Sequence, residues 1–171
     1  MKARGLVIAA AALLAFGCAP SANQEAEPAV SRVDRIVVDK SAHRMTAYRA
    51  NQPLRTFQVA LGSGGLAPKV QQGDNRVPEG RYLIAGRNPA SAFHLSLKIG
   101  YPTRAQVAAA RARGIDPGGD IMIHGLPNGQ GWVGAAHRRS DWTAGCIAVT
   151  NAEIEWLWRA VPDGTPIDIR G

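Results

Sequence analysis

Cys146 and His124 are the two side chains whose types and settings best suit covalent chemistry in this sequence. A thiol with an ordinary pKa of about 8.5 is only a few per cent thiolate at neutral pH, so a nucleophilic cysteine needs a nearby base or a positive field. The flanks of Cys146, Thr143-Ala144-Gly145-Cys146-Ile147, place glycine directly before the thiol. Such a glycine permits a tight turn whose backbone N–H groups converge on an incoming carbonyl oxygen. Against this stands an inert reading, because free cysteine is among the most buried residue types. An inert cysteine, however, sits more naturally inside an apolar run than after a glycine.

Four histidines could serve as the base. His43 falls in a predicted turn, His94 opens a predicted strand, and His137 lies in the polar run Ala136-His137-Arg138-Arg139. His124 differs, since it ends the run Asp120-Ile121-Met122-Ile123 and precedes Gly125, which places it at the edge of a buried strand. It lies 22 residues before Cys146, and the Gly-rich, mobile-looking segment from Leu126 to Trp142 can bring the two together. One cysteine in the folded part and four scattered histidines supply no metal-ligand spacing. No cofactor motif occurs either, so neither metal nor cofactor is expected.

The elements that must position this pair are mostly strands. Val33 to Asp39 and Arg44 to Tyr48 read as a hairpin around Lys40-Ser41-Ala42-His43, and Leu54 to Leu61 as a third strand. From Gly62 to Gly80 the chain is polar and punctuated by Pro68, Gly73, Asp74 and Pro78, a loop long enough to be functional. Arg81 to Gly86, His94 to Ile99 and Ile167 to Ile169 are further strands. Thr103 with Gln106, and Thr150 with Glu153, form capping-box signatures. They open one short alanine-rich helix, ended by Gly114, and a second whose Ile154, Leu157, Trp158 and Val161 share a face. The fold class is therefore mostly β or α+β, with two short helices.

At 171 residues with 46% hydrophobic and 19% charged residues, one principal globular domain is expected and disorder is excluded. The formal charge of +7 favours an anionic partner. Lys2 and Arg4 precede an apolar run from Gly5 to Gly17, the pattern of a secretory signal and too short for a mature membrane span. The run ends in Ala15-Phe16-Gly17-Cys18, which resembles a bacterial lipobox with Cys18 as the lipidated residue. Residues 1–17 thus read as a lipoprotein signal, 18–31 as a lipidated cysteine and flexible tether, and 32–171 as the folded domain. Export to the periplasm, anchored by lipid to the outer membrane, makes nucleic acid the weakest of the anionic partners, behind lipid headgroups and acidic cell-wall polymers. No nucleic-acid motif is present.

Ile123-His124-Gly125 followed by Thr143-x-Gly145-Cys146-Ile147 resembles the catalytic domain of YkuD-type L,D-transpeptidases. So do Gly62-Ser63 to Gly73-Asp74 and Pro78-Glu79-Gly80-Arg81-Tyr82, similar to that family's substrate-side loop. The likeness runs from about Val33 to Ile169. It implies a YkuD-like β-sandwich or barrel-like sheet. It also implies attack by a cysteine on a peptidoglycan stem tetrapeptide, release of the terminal D-alanine, and transfer of the acyl group to an amine. Carried over, Cys146 is the nucleophile, His124 the base and the Gly125 carbonyl the orienter of the imidazole. The amides of Ala144, Gly145 and Cys146 make the oxyanion hole, with Thr143, Arg138 and Arg139 on the substrate. Two positions depart from the family pattern, because Ala144 and Ala148 stand where many members carry histidine and arginine. Arg138 or Arg139 could replace that arginine, with Asp141 pairing one of them. A hydrolase of the same fold using water as acceptor is the nearest rival, and a non-catalytic wall-binding lipoprotein is the rival of another class. Sortases and papain-like peptidases fit less well, the former lacking their arginine after the cysteine and the latter having the reverse residue order.

Overall fold

The computed structural model describes residues 32–171. Eight strands, β1 (Arg35–Asp39), β2 (Arg44–Arg49), β3 (Gln52–Gln58), β4 (Gly80–Ser91), β5 (His94–Ile99), β6 (Met122–His124), β7 (Ile147–Ala148) and β8 (Pro166–Arg170), form one sheet. Their order is β3-β2-β1-β8-β4-β5-β6-β7. The last strand thus sits at the centre, parallel to β1 and antiparallel to β4. The sheet curls into a half-barrel: beyond β3 the chain bridges β7 at Ala60↔Ala148 and meets the cysteine turn at Gly62↔Thr143. Two neighbouring backbone bonds, from Ala60 N to Ala148 O and from Ala148 N to Ala60 O, fix the contact. Ile36, Val38, Ile84, Leu97, Ile99, Ile123, Ile147 and Ile167 alternate inward from their strands to make the core.

Both capping boxes form. Thr103 caps α1 (Arg104–Ala112), and Thr150 caps α2 (Asn151–Ala160) with the Glu153 side chain reaching back to the cap amide. The apolar face of α2, Ile154 and Leu157, lies in the core, whereas α1 buries only Ala110. Helix α1 stands on the surface because five of its nine residues are alanine and offer little apolar area to bury. Between β6 and β7 a pair of 3₁₀ turns spans Gly131–Arg139, broken at Gly134 where φ is 51°. Nothing in the apolar pattern predicts these turns.

Candidate active site

Strand register sets His124 and Cys146 on one face of the sheet. β6 and β7 run parallel with Ile123 opposite Ile147 and His124 opposite Ala148. Since Ile123 and Ile147 point into the core, His124 and its cross-strand neighbour Ala148 point to the other face. Cys146 immediately precedes β7, one alternation before Ala148 and on the same face as His124. Its Sγ lies 3.6 Å from the carbonyl oxygen of Asp120, in the segment that leads into β6.

Glycines make the turn before Cys146 possible. Gly145 has φ of +115°, and a Cβ there would come within 2.8 Å of the Arg76 carbonyl oxygen. Across the seam a Cβ on Gly62 would lie 2.0 Å from the Asn75 carbonyl oxygen and 3.0 Å from the Gly145 Cα. The loop from Gly62 to Glu79 therefore packs its backbone directly on the cysteine turn. Two buried lysines brace it. Lys40, wholly buried at the end of β1, donates to the carbonyls of Ala67 and Val77 and to Glu79 at 2.7 Å. Lys69, with a side chain 3% exposed, bonds Asp74 at 2.8 Å. Burial by itself would raise the Asp74 pKa, but Lys69 and the amides of Val70, Gln71 and Arg76 outweigh it and hold the carboxyl well below the usual carboxylate range.

Inside the turn, the buried Thr143 hydroxyl donates to the Cys146 carbonyl at 2.8 Å and accepts the Gly145 N–H at 3.2 Å. Thr143, expected at the substrate, thus clasps the turn, and the Gly145 N–H, expected in the oxyanion hole, is directed at its hydroxyl. The N–H groups of Ala144 and Cys146 have no acceptor among the described hydrogen bonds, and Ala144 is exposed.

His124 is 4% exposed. Its Nδ1 lies 2.7 Å from the Gly125 carbonyl oxygen, so the neutral ring carries its proton on Nδ1 and leaves Nε2 as the free base. Gly125 in turn donates its N–H to Phe93 and Leu95 carbonyls on the β4–β5 side. Burial pushes the His124 pKa down, only partly offset by the Gly125 carbonyl. Burial pushes the Cys146 thiol up; the Met122 amide and Lys69 oppose that, while Asp120 adds to it. Both shifts favour the uncharged forms, a thiol at Cys146 and a neutral imidazole at His124.

The segment after His124 is tied to α2 by side-chain hydrogen bonds. Asn151 of α2 accepts the Leu126 N–H at 2.9 Å. Arg138 grips Glu153 of the same helix through Nη2 at 2.7 and 2.6 Å, which commits the guanidinium within the fold. Arg139, the other arginine expected at the substrate, is exposed. Asp141 pairs with neither arginine. It takes His43 Nε2 at 2.9 Å and the Leu61 N–H at 2.7 Å, linking the β1–β2 turn to the segment after β3 that bridges β7. His94 bonds Glu155 at 2.7 Å on the surface. His137, read from sequence as part of a polar run, is 7% exposed. Sequence reasoning missed Lys40, Lys69 and Trp142; the last sits edge-on to His124 with ring centroids 5.7 Å apart. Among the described residues no group of three or more His, Cys, Asp or Glu could hold a metal ion.

The fold is a mostly β half-barrel with a histidine at the end of β6 and a cysteine just before the adjacent parallel β7. Residues 33–169 match the family model described as YkuD, L,D-transpeptidase catalytic domain, and the chain belongs to that family. It is 32% identical over 112 residues to the Escherichia coli K12 protein named Putative L,D-transpeptidase YafK, a match covering 64% of this chain and 38% of that protein. The matched region thus spans well under half the length of its curated relatives. The structure is similar to the helical cell shape determining protein Pgp2 from Campylobacter jejuni, with TM-score 0.60 and 21% identity over 85% of this chain and 52% of that one. An L,D-transpeptidase from Xylanimonas cellulosilytica aligns with TM-score 0.55 and 16% identity, covering 84% and 63% respectively. At these identities the structural likeness speaks for the fold.

Proposed function

We propose that the domain is a cysteine-dependent L,D-transpeptidase acting on peptidoglycan stem tetrapeptides. The observation that carries the reading is the His124 imidazole, fixed at Nδ1 by the Gly125 carbonyl and free at Nε2, on the same face as Cys146 one strand away. In the first half-reaction Sγ of Cys146 attacks the carbonyl of the third stem residue as its proton passes to His124 Nε2. The oxyanion sits against the Ala144 and Cys146 N–H groups. Collapse breaks the C–N bond, His124 returns the proton to the departing D-alanine amine, and a thioester remains. An acceptor amine then attacks the thioester, His124 takes its proton, and the thiol is regenerated. The acceptor belongs to another stem peptide, giving a cross-link, or to a protein attached to the wall.

Arg139, exposed at the end of the 3₁₀ turns, offers a cation for the carboxylates of the stem peptide, in place of the family's arginine after the cysteine. Cys18 lipidation would hold the domain in the periplasm at the envelope, within tether reach of the wall; residues 1–31, which carry the signal, lipobox and tether, lie outside the described residues. The formal charge of +7 suits an acidic wall polymer. Mass spectrometry of tetrapeptide muropeptides incubated with the enzyme tests the reading. Dimers support transpeptidation, trimmed monomers would assign water as the acceptor, and unchanged muropeptides would leave a wall-binding protein.

A further inference from the structure

The base proposed above is enclosed by rings, and one of those rings is held by a buried histidine outside the reacting pair. His124 packs against Phe93 with centroids 4.5 Å apart and against the edge of Trp142 at 5.7 Å and 69°. Phe93 and Trp142 also touch, at 6.1 Å. Trp142 meets His137 edge-on at 88°, and its indole N–H is directed at His137 Nδ1 at 3.5 Å. That bond is long, but it is the indole donor's acceptor within the fold, and buried Trp N–H groups usually find one. With Nδ1 accepting, the neutral His137 ring carries its proton on Nε2, which is buried without a partner among the described residues.

We infer that His137 is a positioning residue for the reaction, holding the Trp142 ring whose edge fixes the plane of the His124 imidazole. The inference rests on His124 being the base. The Gly125 carbonyl anchors one ring nitrogen but leaves the imidazole free to tilt about that bond. Phe93 and Trp142, themselves in contact, bear on the imidazole from adjoining directions and restrict that tilt, so that less reorganisation is needed during the reaction. The neutral state of His137 is essential to this arrangement. If His137 gained a proton on Nδ1, two N–H donors would face each other and Trp142 would swing away from His124. Burial favours the neutral ring, and the Arg138 guanidinium and His124 reinforce it, while Glu153 opposes it. Arg138 in turn is anchored by Glu153, so the acid and base of that pair lie on the α2 side of the ring.

The test compares His137→Leu, which removes the acceptor, with His137→Asn, whose side-chain oxygen can stand where Nδ1 stands and does not titrate. In full-length protein, the rate of Cys146 acylation by a carbapenem is followed from about pH 5 to 9, a range that brackets the ordinary histidine pKa. We expect His137→Leu to lose on the order of 10-fold at neutral pH, less than the roughly 10²-fold that a displacement of an ångström can cost. His137→Asn should recover most of that rate and flatten the acid limb of the profile. Trp142→Phe, which keeps a ring but lacks the donor, is the second variant should His137→Leu fold poorly. It should match the Leu variant, and the double variant should be no worse than either. Wild-type rates in Trp142→Phe, or equal behaviour of the Leu and Asn variants, overturn the inference. His124→Ala, measured alongside, separates the two layers: if it is crippled while both His137 variants are silent, only the positioning role fails. If it is itself silent, the base assignment fails first.

Discussion

The two arms of the site are braced by opposite means. The cysteine arm, from Gly62 to Glu79 with the turn at Thr143 to Cys146, is held by glycine backbones in contact and by two buried lysines with carboxylate partners. The histidine arm, from His124 to Trp142, is held by aromatic edges and by side chains at the N-terminal end of α2. One arm depends on buried charge being paired; the other depends on buried rings staying neutral. The difference teaches that the two halves of the proposed site should respond to different perturbations.

The largest expected effect is at the reacting atoms, where the arms meet. Cys146→Ala should abolish turnover, with its thermal melt close to wild type because the residue is a small one on a turn. His124→Ala should lower acylation by about 10²- to 10⁴-fold at neutral pH and recover partly in alkali as the unassisted thiol ionises. His43→Ala and His94→Ala, which touch only Asp141 and Glu155 respectively, should stay near wild type in the same assay.

Next in size is a substitution that separates the arms. Lys40→Met strands Glu79 and two carbonyl groups, and removing one partner of a buried pair costs about 3–5 kcal/mol. Partial exposure of Glu79 puts the expectation at the low end, read as a lower denaturation midpoint in urea. The loss should fall on the cysteine arm, so Cys146 alkylation speeds up from an opened turn while the Trp142 fluorescence environment changes little. Equal disturbance of both would erase the contrast.

Acidification should act first on the other arm. His124 and His137 both have pKa values below the ordinary histidine value of 6.5, so the unfolded chain binds more protons than the folded one on acidification. Stability conferred by the neutral rings is therefore complete above about 6.5 and is lost as pH falls through their lowered values. Asp74 remains ionised far below that range, which leaves the cysteine arm paired. A melting-temperature profile that begins to fall below about pH 6.5 in the wild type and is flatter in His137→Asn would sharpen the comparison. The smallest effect is expected for Arg138→Ala. Its ion pair with Glu153 is partly solvated, and about 1 kcal/mol of stability should be lost.

Much of this was legible in residue order. The place of His124 at the end of a buried strand, the glycine turn before Cys146, both capping boxes and strands β1, β2 and β5 follow from period, cap chemistry and punctuation, all local properties, whereas the Gly125 carbonyl came from the family resemblance. What escaped is non-local. Lys40 follows an alternating strand and precedes a polar turn, so local pattern assigns it to solvent; only the return of the chain at Ala67, Val77 and Glu79 buries it. Arg138 and Thr143 look like free polar groups until α2 and the cysteine turn take up their donors. β7 is two residues long, too short for any alternation to register, yet it carries the register that aligns the site. β4 runs on to Ser91 through Arg87, Asn88 and Pro89, beyond the Gly86 expected to end it, because pairing with β5 continues past a bulge.

Strand β8 has a consequence in time as well as in space. Because β8 fills the gap between β1 and β4, β1 cannot be paired on that side until β8 has been made. Folding of such a sheet is governed by contacts distant in sequence, which places it among the slower topologies. A chain growing from its N-terminus would therefore lack its central pairing until β8 emerges. Under the export proposed above, in which the chain crosses a membrane before it folds, the order of strands itself would serve as a delay.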